Sequence, residues 1–325
     1  MQDNVKAFAL AILVALVTPS MVAYGQGYPA RPVHITSPYS TSAGPDLVAR
    51  LFADRLAQTW KQPVIVESKP GGSGIAALES VKRASPDGYE LVIAGDPQLA
   101  INPSLLRNLP YDPIADFTPV ALLYRTPFFV MVATNGPFKA LGDLLDVAKR
   151  DSRAVSSGIQ YVGSASHLGV LRLDQMLGTH MLHVAFKENS QIFSAILNGD
   201  LQWAFATMGS SGAFYRSGRI KALAVSSAER MSGFADIPTF REAGGPPFEL
   251  NAWAAFFGPR GMAAETVTIL NREINRLLHD AVIQERLASF GFVPAAGTPQ
   301  SLGELLQSDF KRNGELIRTL GLQPE

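Results

Sequence analysis

Two stretches of this chain place glycine and small hydroxyl residues between a short apolar strand and a helix. In the first, VHITS (33–37) leads through Pro38-Tyr39-Ser40-Thr41-Ser42-Ala43-Gly44-Pro45-Asp46 into LVARLFADRL. In the second, AVSSG (154–158) leads through Gly163-Ser164-Ala165-Ser166-His167 into LGVLRLDQML. A helix start leaves about four backbone N–H groups unpaired and carries roughly half a positive charge. Two such ends facing each other across a cleft would hold a small anion without a metal or an arginine clamp. Thr41, Ser42 and Ser164 stand where a hydroxyl donates to a carboxylate, and equally where it caps a helix for about 1 kcal/mol. Asp46, just after Pro45, is ordinary helix-start chemistry. It would repel an anion, so any ligand contact would be with a hydroxyl, an amine or a bridging water. His167 lies one helical turn after Ser164, where capping, packing and ligand contact are all open. His180 and His183 fall on or beside a strand and read as structural.

Catalytic alternatives are weaker. Gly72-Ser73-Gly74-Ile75-Ala76-Ala77 matches GxGxxA, and Asp96 ends the next strand, imitating a dinucleotide-binding fingerprint. Glu67-Ser68-Lys69-Pro70, however, separates the apolar strand from the glycines and spoils the tight turn. Gly209-Ser210-Ser211-Gly212 is not the GxSxG elbow of a hydrolase, and the Ser164/His167 pair has no orienting acid nearby. No His, Asp and Glu set has metal-ligand spacing. The reading is a binder rather than an enzyme, with no cofactor and no metal.

The elements that must position these loops follow from periodicity. The chain has 325 residues, 47% hydrophobic and 17% charged, enough for about two domains. Lys+Arg and Asp+Glu each total 28, which argues against a nucleic-acid partner. With no cysteine, disulfides and thiolate sites are excluded. Residues 1–25 read as an export signal: Lys6, an apolar run over 7–17, Pro19 and Ser20, then small residues at Ala23-Tyr24-Gly25. That places the mature protein in a periplasm. Strands are expected at 33–37, 63–67 and 90–95, with helices over 46–60 and 74–84 between them. A βαβαβ series of this kind implies a parallel sheet covered on both faces. After a Pro-rich connection (102–119) come apolar runs at 120–124 and 128–133, a helix over 141–150, and strands near 154–157, 181–186, 201–207 and 220–226. A buried strand over 250–258 and helices over 265–278, 281–290 and 301–320 close the chain. The fold class is therefore α/β with two lobes, each a mainly parallel sheet flanked by helices. Lobe 1 comprises 28–122 plus 254–325, and lobe 2 comprises 123–253.

YPARPVHITSPYSTSAGPDLVARLFADRL, VESKPGGSGIAALESVKRASPDGYELVIAG and NLPYDPIADFTPVALL resemble the N-terminal half of Bug proteins, the substrate-binding components of tripartite tricarboxylate transporters. The resemblance continues through GSASHLGVLRLDQMLGTHMLHVAFK and RIKALAVSSAERMSGFADIPTFREAGGPPFELNAW and spans about residues 28–320. It implies a type II periplasmic binding protein fold whose lobes close on a small organic carboxylate. It also implies delivery of that ligand to membrane permease subunits; a monomer is expected, though no residue pattern speaks to oligomeric state. Carried over by motif, the first loop is 38–46, the second is 158–167, and Asp96 and the segment around Thr207 complete the lining. Three departures stand out: Ser42-Ala43 replaces two glycines, residues 159–162 lengthen the second loop, and Ala206 replaces an aspartate. These put citrate, aspartate and glutamate in question. Tyr39, Tyr161, Phe186 and Trp253 favour a ligand with an apolar or aromatic body. A periplasmic sensor that signals without transport is the alternative reading.

Overall fold

The computed structural model describes residues 27–325 except positions 42, 161, 187, 320, 323 and 325, so the export signal expected at 1–25 lies outside the described residues. Within the unit Arg31–Glu325 the chain builds two sheets. β1 (Val33–Ser37), α1 (Gly44–Trp60), β2 (Val64–Ser68), α2 (Ile75–Lys82) and β3 (Glu90–Gly95) form the expected βαβαβ unit. β1 pairs in parallel with both β2 and β3. Val48, Phe52 and Leu56 of α1 are fully buried, one helical face against the sheet. The helix stops where Lys61 adopts a left-handed conformation, φ 55°.

The Pro-rich connection is more regular than its composition suggests. A π-turn at Pro97–Ile101 runs directly into a short helix, α3 (Asn102–Leu105). β4 (Phe117–Pro127) then pairs antiparallel with β10 (Asn251–Pro259). Pro119 is tolerated in β4 because it stands opposite Phe257, where the register shifts at a bulge. With β11 (Val293–Pro294) the first sheet has the order β11-β4-β10-β3-β1-β2.

The second sheet, β7-β6-β8-β5-β9, is built from β5 (Phe129–Ala133), β6 (Ser156–Ile159), β7 (Leu182–Ala185), β8 (Trp203–Ala206) and β9 (Ile220–Val225). β6 is parallel to β7 and β8, whereas β5 is antiparallel to β8 and β9. Its helices are α4 (Leu141–Arg150), α5 (Ala165–Leu177), α6 (Asn189–Asn198) and α7 (Met208–Arg216). The sequence reading lacked α6 and α7. α7 begins Met-Gly-Ser-Ser-Gly, where small residues hide any apolar stripe, and only Thr207 at its start announces it by capping Ser210 N–H. Ile159, expected as part of a lengthened loop, extends β6 and is buried.

The boundaries between lobes also shift. β4 stays in the first sheet as far as Pro127 and β10 joins it from Asn251, so the crossings fall later than 122/123 and earlier than 253/254. The closing helices α8 (Ala264–Leu278), α9 (Ala281–Ser289) and α10 (Pro299–Thr319) complete the chain. Leu302 and Leu306 of α10 share a core with Leu78 of α2 and with Trp253 and Phe257, on one face of the first sheet. On the opposite face Phe52 of α1 meets Phe256 edge-on, and Asn271 of α8 donates to Val120 O.

Candidate functional site

All the loops singled out from sequence leave their sheets at the end where the chain crosses between lobes. At the start of α1, Ala43 N–H donates to Ser40 O (2.9 Å), and Ala43 occupies the N-cap without any side-chain capping bond. Pro45 has no N–H to satisfy, which leaves the N–H groups of Gly44 and Asp46 at a helix end without a side-chain cap, its first-turn acid being Asp46 itself. Thr41 and Ser40 are exposed beside this end, and Ser42 lies outside the described residues.

Asp46 departs from expectation. Its carboxylate is fully buried, accepting from Arg50 Nε (2.8 Å) and from Ser68 Oγ (2.6 Å). A buried charge requires such partners, so this acid ties α1 to the end of β2.

Tyr39 donates from Oη to Gln98 Oε1 (2.9 Å), and the same oxygen accepts from Gly95 N–H (3.2 Å). The ring is thereby fixed above the end of β3. Tyr124 stacks on Phe292 with ring centroids 4.0 Å apart. Burial, reinforced by Tyr39 and Asp96 nearby, pushes the Tyr124 hydroxyl well above its ordinary pKa. Gln98, Tyr124 and Phe292 were missed in the sequence. Phe292 in particular carries no local signal, because only tertiary contact brings β11 here.

In lobe 2, Ser164 caps α5: its Oγ accepts from His167 N–H (3.2 Å) and pairs with Ser166 Oγ. His167 Nδ1 accepts from Gly163 N–H (2.8 Å), which puts the ring proton on Nε2. Burial, with the neighbouring His183, lowers the His167 pKa to about 4. His183 lies 3.0 Å from Asp174, whose oxygens also accept from Thr179 Oγ1 and Met181 N–H. The second loop is thus fixed from below by a buried polar network. Phe186 does not join an aromatic wall; it packs half-buried against the cluster of Ile192, Phe193 and Ile196 in lobe 2, held by its place beside β6. Trp253 is buried and donates from Nε1 to Asp309 Oδ2 of α10 (2.8 Å). Tyr161 is outside the described residues.

Two of the contacts between the lobes lie beside the candidate loops. A Cβ built on Gly163 would overlap the Leu105 side chain of α3, and Leu168 of α5 shares a small apolar cluster with Ile101 and Ile317. On the other flank, a Cβ on Gly44 would come 2.7 Å from Phe292 Cζ and one on Gly209 would come 3.4 Å from the same atom. The helix starts that converge across the lobes are therefore those of α1 and α7, with one phenyl ring between them. The start of α5, which the expectation pairs with that of α1, lies beside Leu105 of α3.

A model of the family described as "Tripartite tricarboxylate transporter family receptor" matches residues 48–322. This chain belongs to that family. It is a family of solute-binding receptors, not of enzymes, and the chain is a Bug-type member with the two-lobed periplasmic binding protein fold. Among solved structures it is similar to one described as R. palustris Rpa4515 with adipate, at 28% identity and TM-score 0.82, covering 92% of this chain and all of that one. It is similar to periplasmic binding protein BugD at 27% identity and TM-score 0.77, over 92% of this chain and all of that one. MatC (Rpa3494) from Rhodopseudomonas palustris with bound malate shares 28% identity at TM-score 0.75, over 89% of this chain and all of that one.

A cavity of about 710 Å³ also spans the lobes, on the face of the first sheet that carries α10. Of the twelve candidate site residues only Asp96 borders it. Asp96 is buried, and its Oδ1 accepts from Trp253 N–H (3.1 Å). Burial raises its pKa to about 7, Asp309 adding to the effect and Arg312 opposing it.

Proposed function

We propose that this receptor captures a small organic carboxylate between its lobes and delivers it to the membrane subunits of a tripartite tricarboxylate-type transporter. Two solved relatives are described with dicarboxylates, adipate and malate. The observation that carries the reading is that the start of α1, which has no side-chain cap, and the start of α7 approach the same Phe292 ring from the two sides of the interlobe boundary. A carboxylate there would accept from the main-chain N–H groups of Gly44 and Asp46, from Thr207 or Ser210, and from the Ser164 hydroxyl. Each charge-assisted bond contributes on the order of 1.5–3 kcal/mol, so a handful supports micromolar binding after ordering costs.

The aromatic side of the site is Tyr39 with the Tyr124–Phe292 stack. It favours a ligand with an apolar body between or beside its carboxylates. Ala43 and Ala206 withhold polar side chains, so size and apolar contact would set selectivity more than additional hydrogen bonds would. Ligand that touches both lobes favours the closed arrangement through its differential contacts. Residues 1–25 would direct export to the periplasm, where the binder acts as a monomer.

A thermal-shift screen over mono-, di- and tricarboxylates, aromatic acids included, tests the assignment, because binding raises apparent stability. The acid that raises the wild-type Tm most should raise it markedly less in Ala43→Asp, which puts a like charge at the helix start, and not at all when Arg172→Gln/Arg241→Gln is added. Retention of the full shift in Ala43→Asp would place the ligand elsewhere.

A further inference from the structure

Four arginines border the 710 Å³ cavity, two from each lobe: Arg125 of β4 and Arg312 of α10 from lobe 1, Arg172 of α5 and Arg241 from lobe 2. Among the described residues only Arg312 is ion-paired, its Nη2 lying 2.8 Å from Asp309 Oδ1. Arg172 donates from Nη1 to Glu249 O (2.9 Å) and lies over the Phe248 ring. That fixes its guanidinium and leaves further donors toward the cavity. Its pKa is lowered by burial and by the charge of Arg312. The carboxylates of the lining neutralise Arg312 and leave Arg125, Arg172 and Arg241 without an ion pair among the described residues. Asp309 is committed to Arg312 and to Trp253 Nε1, and Asp96 accepts from Trp253 N–H. Glu249 alone remains, at the exposed rim. Asn251, Ser308 and Asn313 add uncharged polar groups.

The cavity lies on the other side of the first sheet from the start of α1 and shares only Asp96 with the cleft residues assigned above. It opens beside Trp253 and α10, on one face of the first sheet, whereas Phe292 lies near the start of α1 on the other. Guanidinium forks match pairs of oxygens on a planar or tetrahedral oxyanion. Three guanidinium charges that no carboxylate pairs, lining one cavity from both lobes, are relieved of their mutual repulsion when an anion sits among them.

We infer that this cavity is a second, oxyanion-binding site that bridges the lobes behind the ligand cleft. Its occupant is a small dianion of the phosphate or dicarboxylate kind. Held by Arg125 and Arg312 on one side and Arg172 and Arg241 on the other, it stabilises the interlobe arrangement in which these side chains converge. By linkage, an anion here and a carboxylate in the cleft then alter each other's affinity by the same factor.

The test is calorimetric titration of inorganic phosphate, and separately of succinate, into purified Ala43→Asp protein at constant ionic strength. The blocked cleft leaves only the arginine cavity to report. Saturable one-to-one binding by either probe supports the site, and the probe that saturates names the source of the oxyanion. Arg172→Gln/Arg241→Gln should weaken that binding by about 10- to 100-fold, the loss of one or two charge-assisted contacts. Arg241→Gln alone, at an exposed position, should weaken it measurably while leaving the fold intact. Arg153→Gln, on lobe 2 away from the cavity, should change nothing. Non-saturating titrations with both probes, or equal weakening in Arg153→Gln, would overturn the inference. If Ala43→Asp still binds carboxylate in the presence of the arginine substitutions, the cleft assignment fails while the phosphate result stands on its own.

Discussion

Gly163→Ala separates the folding role of the second loop from its role in closure. Gly163 has φ +84°, and a Cβ there would overlap the side chain of Leu105. The first effect belongs to lobe 2 alone: a left-handed conformation costs a non-glycine residue about 1–2 kcal/mol wherever the other lobe is. It should appear as a lower urea midpoint in the ligand-free protein. The second arises only when Leu105 of lobe 1 is present across the boundary, as it is here, and forcing a methyl into a packed contact costs about 1–3 kcal/mol. If closure is required for binding, that second cost appears in the dissociation constant, weakening a carboxylate by about 5- to 150-fold. Leu105→Ala opens the space. The double variant Gly163→Ala/Leu105→Ala should therefore recover much of the affinity and none of the stability lost to backbone strain. A double-mutant cycle run by calorimetry for affinity and by urea melts for stability reads the two separately. Unchanged affinity in Gly163→Ala, or no coupling with Leu105→Ala, would refute closure through this contact.

Three further outcomes follow from the buried charges. The raised pKa of Asp96 means that the folded state holds a proton the unfolded chain has released between about pH 4 and 7, so stability falls as pH rises through that window. Asp96→Asn, which keeps the acceptor for Trp253 N–H, should remove this slope and be more stable at pH 8 by up to about 4 kcal/mol in urea melts. His167 acts in the opposite sense: with its folded pKa lowered to about 4, stability rises with pH between about 4 and 6.5, and His167→Gln should abolish that rise. The two slopes oppose each other, so each single variant should show a steeper pH dependence than the wild type. Asp46→Ala should cost about 1–3 kcal/mol by removing the acceptor for Arg50 and Ser68, with carboxylate affinity not weakened, because its oxygens are spent within lobe 1.

The sequence was most legible where one element carries its own signal. β1 and β3 lie at their expected positions because short apolar runs, buried almost throughout, end at turn residues, and α4 because Leu141, Leu144, Leu145 and Ala148 recur with the helical period. α7 escaped because Gly209, Ser210, Ser211 and Gly212 fill the face that an apolar stripe would mark, and Ser211 and Gly212 are buried by close packing instead. The length of β4 escaped because prolines at 119 and 127 read as breaks, while a bulge and the strand end accommodate them. At the candidate site, the capping roles of Ser164 and Thr207 are local and were readable from their positions. The burial of Asp46 depends on Ser68, 22 residues away, and the Tyr124–Phe292 stack on residues far apart in the chain. The arginine cavity likewise assembles from four separate segments. Such groupings leave no periodic trace and appear only once the sheets are in register.

The most direct measurement is a crystal structure of the protein saturated with the carboxylate that gives the largest thermal shift. The account requires one carboxylate within about 3 Å of main-chain N–H groups at the start of α1, with Thr207 or Gly163 and Ser164 on its far side and Tyr39 against its body. Ligand bound only among Arg125, Arg172, Arg241 and Arg312, or touching a single lobe, would contradict it.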